Sequence, residues 1–128
     1  MEIISTVTLS LSGLLLTMVG TLRLTNPIKN YAKNSGIQLA QDTDLLNEVR
    51  GVSAVMLFAG TILLSGAFVS AITTSALMIA ALIFLGFAVG RILSISIDGK
   101  PNKQLITGLV TELILGTANV ICLLLNFG

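Results

Sequence analysis

Two ionisable residues lie deep within apolar sequence: Arg91 and Glu112. A carboxylate and a guanidinium in such surroundings can hold a charged ligand, exchange a proton, or neutralise one another. Three more ionisable residues stand at the edges of apolar runs. Glu48 and Arg50 open one run, and Asp98 closes another. What the chain lacks narrows the chemistry further. It has no His and a single Cys, Cys122. That removes His-ligated haem, zinc sites, a disulfide within the chain, and Ser-His-Asp or Cys-His catalysis. No catalytic set, metal site or cofactor is expected. Cys122 lies in an apolar run and reads as a small buried or lipid-facing residue.

The elements that carry these residues are helices. Of 128 residues, 54% are hydrophobic and 10% are charged, whereas soluble domains carry about a quarter charged residues. Four apolar stretches are each long enough to cross a hydrocarbon core of about 30 Å. They predict helices over about 3–24, 45–66, 75–97 and 102–125. Little sequence remains for a soluble unit, so 1–128 is expected to be one all-α transmembrane domain, an integral membrane four-helix bundle. A net charge of +1 argues against nucleic acid as a partner. The chain opens Met1-Glu2-Ile3-Ile4, with an acidic residue where a signal peptide would be basic, and the apolar run then continues to about Leu24. Both features favour a retained membrane helix.

Depth arithmetic brings Arg91 and Glu112 together. Arg91 precedes Gly99 by eight residues and Glu112 follows Asn102 by ten. At 1.5 Å per residue they lie roughly 12 and 15 Å from the intervening turn, so a hairpin sets them at similar depth. Glu48 and Arg50 enter from the same side. The expectation is one interior cluster in which Arg91 and Glu112 join Glu48 or Arg50, because unpaired charge at that depth is costly. Such a cluster has two readings: a ligand, proton or headgroup site, or an ion pair that fixes helix register with Arg91 partly snorkelling to the interface.

Small residues suggest where helices meet. Gly13 and Gly20 share a face of the first helix, and Ser53, Ala59 and Gly60 punctuate the second. Gly86 and Gly90 form a small-x-x-x-small pair beside Arg91. Gly108, Glu112 and Gly116 recur every four residues on one face, with Asn119 nearby. Close packing of the third and fourth helices is therefore expected through Gly86, Gly90, Gly108 and Gly116. The room that two glycines leave around Glu112 takes either a neighbouring helix or a ligand.

The connections have their own signals. Asn26-Pro27 reads as a helix cap and first position, Gly36 as a stop, and Lys29 and Lys33 share a polar face. A short helix over about 27–35, lying in the membrane interface, is predicted. Asp42, Thr43 or Asp44 can cap the second long helix. In Asp98-Gly99-Lys100-Pro101, Gly99 is expected to be left-handed and Pro101 to open the last helix. All seven basic residues (Arg23, Lys29, Lys33, Arg50, Arg91, Lys100 and Lys103) flank the first and third connections. The positive-inside rule then sets 25–44 and 98–103 in the cytoplasm. The helices are then expected to run up-down-up-down, with both termini on the non-cytoplasmic side of a bacterial inner membrane.

The polar positions resemble a known family. Glu48-x-Arg50-Gly51, then Gly90-Arg91-x-x-Ser94-x-x-x-Asp98-Gly99-x-Pro101, then Glu112, are together similar to the small bacterial membrane proteins grouped as domain of unknown function 4345. The resemblance covers nearly the whole chain and implies a multi-pass membrane protein. It brings no established activity with it. Two function classes follow from the residues. One is a non-enzymatic bundle that binds a lipid or lipophile, or a small subunit of a membrane complex, with membrane lipids, a second copy or other subunits as partners. Its polar pocket of Glu48, Arg50, Arg91, Asp98 and Glu112 would open to the cytoplasm. The other is a small proton-coupled transporter or an intramembrane lipid-modifying enzyme that uses Glu112. One-sided basic residues, a single Tyr and no Trp weigh against the transporter, so the first class is preferred.

Overall fold

A computed structural model describes residues 3–127, and the acidic start Met1-Glu2 lies outside them. The described residues form α1 (Ile3–Thr25), α2 (Pro27–Ser35), α3 (Thr43–Phe68), α4 (Thr73–Asp98) and α5 (Lys103–Phe127). One turn of 3-10 helix, Ser70–Ile72, joins α3 to α4. With that turn counted into α4, four helices are long and apolar enough to cross a membrane. Their outer faces carry Leu11, Leu14, Val55, Phe58, Leu82, Val89 and Ile114, all exposed. Apolar surface on this scale suits lipid and not water.

Local chemistry sets the helix ends. The Asn26 side chain accepts from the Lys29 amide, Pro27 takes the first turn of α2, and Gly36 stops it at φ 66°. The Asp42 carboxylate accepts from the Asp44 amide and caps α3. The last turn departs from the sequence reading. Gly99 has φ 98° and ψ 179°, a positive-φ extended conformation and not the left-handed helical one. Asn102, not Pro101, opens α5. Its Oδ1 accepts from the Leu105 amide at 2.9 Å, a capping bond that a proline cannot make.

The most extensive contact is between α1 and α3, and it follows a repeat of seven. Ser5 and Ser12, then Gly13 and Gly20, are buried on α1; Ser53, Gly60 and Ala67 are buried on α3. A Cβ added at Gly13 would meet Gly60 O at 3.0 Å, and one at Gly20 would meet Leu57 N at 2.6 Å. The backbones therefore approach as closely as glycine allows. The sequence of these contacts ascends one helix and descends the other. The same holds between α4 and α5, where Leu85 fills the space over Gly116 and Asn126 bonds to Thr74.

The core is partly polar. Asn119 Nδ2 donates to Ser12 Oγ at 3.0 Å, and both residues are 0% exposed. Cys122 is buried beside Thr8, with Sγ 3.6 Å from its Oγ1. Thr73 Oγ1 donates to Gly66 O at 2.8 Å and ties the α3–α4 corner.

Three of the glycines expected between α4 and α5 do not pack. A Cβ at Gly86, Gly90 or Gly108 would meet nothing within 4 Å. The inward stripe of α4 is Ala76, Ala80, Phe84 and Ala88. Gly86 and Gly90 each follow a stripe residue by two positions, so they lie about 200° round the helix from it. Both are exposed. Gly108 faces a cavity described below. Only Gly116 is buried against a neighbour, Leu85.

This arrangement separates the glycines by experiment. Gly20→Leu and Gly60→Leu should each lower stability in detergent by roughly 1–3 kcal/mol through overpacking. Gly86→Leu and Gly90→Leu should leave the thermal midpoint unchanged. Equal loss in all four variants would contradict the seam described here.

Candidate functional site

Arg91 on α4 and Glu112 on α5 form an ion pair, with Arg91 Nε 2.6 Å from Glu112 Oε1. Their side chains are 31% and 12% exposed. The pair spans the two helices at one height, and it lines a cavity of about 400 Å³. Every α-helix contributes to the lining. The cavity has two chemistries. Its apolar part is Leu16, Val19, Met56, Phe84 and Phe87. Its polar part is Arg23, Tyr31, Ser35, Gln104, Arg91 and Glu112. Gly108 belongs to the lining, one turn from Glu112 on the same face. Thus of the two glycines that flank Glu112, one opens onto the cavity and the other receives a helix.

The short helix α2 covers the polar end. Asn30 Nδ2 donates to Leu22 O at 3.0 Å, at the C-terminal end of α1. At its far end, Asn102 Nδ2 donates to Ser35 O at 2.9 Å and Gln104 Nε2 donates to Lys33 O at 3.0 Å. These last two bonds occupy carbonyls that a helix terminus leaves without intrahelical partners. So α2 is tied to α1 at one end and to α5 at the other.

Arg23 is the site residue that the sequence reading passed over. Its Nη2 donates to Ser35 Oγ at 2.9 Å. Its guanidinium carbon sits 4.3 Å from the centroid of the Tyr31 ring, a cation–π distance. Its Nε is buried with no hydrogen-bond partner. A signal was present. Leu9 and Leu16 are buried on α1 at a spacing of seven, and Arg23 is the next residue in that register. A basic residue on an inward stripe faces the interior unless the helix has already ended.

The expected partnership with Glu48 or Arg50 does not form. Arg50 Nη1 donates to Leu24 O and so caps the C-terminus of α1, a favoured place for a cation. Glu48 is exposed. It precedes the buried Ser53 by five residues, which turns it about 140° away. Asp98 accepts from Ser94 Oγ at 3.0 Å, within its own helix. None of these three lines the cavity. Among the described residues, no group of three or more Cys, Asp or Glu is gathered to hold a metal ion.

These features define a class: a multi-pass helical membrane protein with an ion pair and a mixed polar and apolar cavity between its helices. Residues 4–123 match the family described as a domain of unknown function (DUF4345), and the chain belongs to that family. No curated protein and no solved structure matches it.

Proposed function

We propose that this protein is a non-enzymatic bundle of the bacterial inner membrane that holds a lipophilic molecule in the cavity beside Arg91 and Glu112. The observation that carries the reading is the cavity itself. About 400 Å³ lies within the range of small-molecule sites, and apolar and charged walls meet in it. An amphiphile matches both walls at once. The polar end lies beside α2 and the start of α5, where the basic connections gather, so the site opens toward the cytoplasm. Membrane lipids supply the ligand, and a second copy or another membrane subunit is a further partner class.

The same reading includes the topology. Contacts between α1 and α3, and between α4 and α5, run in opposite senses, which supports an up-down-up-down path. All seven basic residues sit at or near connections 25–44 and 98–103, which supports cytoplasmic placement of both and non-cytoplasmic termini. On this path α2 lies in the interface, with Lys29 and Lys33 among headgroups.

Two measurements test these statements. Native mass spectrometry from a mild non-ionic detergent should show the chain carrying a lipid-sized adduct. An adduct-free spectrum across several mild detergents would contradict the binding role. For topology, a Cys introduced at Lys100 should resist an impermeant thiol reagent in intact cells whose outer membrane is permeabilised, and react after lysis. Labelling before lysis would reverse the orientation.

A further inference from the structure

We propose that the cavity selects a single-chain amphiphile with an anionic headgroup, a carboxylate or a phosphate monoester, and that Arg23 is the residue that sets this charge preference. The proposal rests on the binding role above and deepens it. Three charged side chains line the cavity, two positive and one negative: Arg23, Arg91 and Glu112. Arg91 and Glu112 offset each other at 2.6 Å. Arg23 has only neutral partners, the Ser35 hydroxyl and Tyr31. The lining therefore carries a net single positive charge. An anionic headgroup matches it, a neutral one leaves it unmatched, and a cationic one is repelled.

The donors are also set in place. The Tyr31 ring and the Ser35 hydroxyl hold the Arg23 plane from two sides, so little side-chain freedom is lost on binding. Arg91 spends its Nε–H on Glu112, and four of the five guanidinium donors remain. Planar guanidinium forks favour carboxylate and phosphate oxygens over other acceptors. Volume limits the tail. At a share of about 30 Å³ per water-sized group, a cavity of about 400 Å³ takes about a dozen such groups. That holds the greater part of one acyl chain along Leu16, Val19, Met56 and Phe84, and falls well short of two.

The test uses the full chain in lipid nanodiscs of neutral phospholipid and a series of probes with one tail length. The probes are hexadecanoate, hexadecyl phosphate, hexadecanol and hexadecyltrimethylammonium, with dihexadecanoyl phosphatidate as the two-chain probe. Acetate and inorganic phosphate serve as tailless anions. Competition against labelled hexadecanoate, at a pH that ionises it, gives the affinities. The two single-chain anions should bind at least about tenfold tighter than hexadecanol, the gap expected of one charge-assisted contact. Arg23→Gln should erase that gap, an unchanged gap would remove Arg23 from the proposal, and Arg23→Lys should keep part of it. If Arg23→Gln does not fold, Arg23→Lys decides the assignment: a gap as wide as in the unaltered chain would overturn the role of the Arg23 guanidinium. Hexadecanol binding as tightly as hexadecanoate would overturn the charge preference and leave the lipophile role standing. Equal binding of phosphatidate would overturn the single-chain claim. Competition by acetate or phosphate at the strength of the tailed anions would show a free-anion site and overturn the proposal. Failure of every tailed probe to bind would overturn the lipophile role itself.

Discussion

A guanidinium and a carboxylate carried by long apolar helices have to find each other, because hydrocarbon offers neither of them water. This constraint governs the second half of the molecule. Arg91 and Glu112 meet at 2.6 Å across α4 and α5, and that single contact sets the register of the two helices. Leu85 then falls over Gly116, and Asn126 reaches Thr74. A slip by one turn, about 5.4 Å along the axis, would part the charges. The cost of such a separation is large enough to exclude it.

The first half of the molecule is held differently. Between α1 and α3 the driving contact is packing through Gly13, Gly20 and Gly60, where backbones touch without side chains between them. The two halves join through Ser12 and Asn119 and through the Thr73 corner. One pair of helices is thus as close as glycine permits. The other is joined at one height by the ion pair, and there Gly108 adds no side chain and Phe84 and Phe87 line the cavity from the neighbouring helix. The cavity lies between the two pairs, lined by both, with α2 across its polar end.

Much of this was legible in the sequence, for physical reasons. Length and hydropathy alone give four long helices, since few other elements bury 20 apolar residues in a row. Rise per residue gives the shared depth of Arg91 and Glu112. Azimuth was harder to read. A small-x-x-x-small pair specifies that a face is smooth, not which way it points, and Gly86 and Gly90 point outward because Ala76, Ala80, Phe84 and Ala88 already form the inward stripe. The charge of Arg50 near the membrane edge predicts a site residue, yet the carbonyl of Leu24 claims it. Arg23 has the position of a flanking charge, but the register of Leu9 and Leu16 points it inward. The bonds from Asn102 and Gln104 to α2 cross 67 or more residues, and no local pattern announces them.

The central claim is that the Arg91–Glu112 pair serves a cavity and does more than align two helices. It is tested most directly by one double variant, Arg91→Gln with Glu112→Gln, measured for stability and for co-purifying ligand. Each single change should destabilise the bundle by about 3 kcal/mol by stranding a charge. The double change should recover most of that loss and restore the fold, while the mass spectrum loses its lipid-sized adduct. A double variant that folds and still carries the adduct at full occupancy would contradict the claim and reduce the pair to a structural clamp.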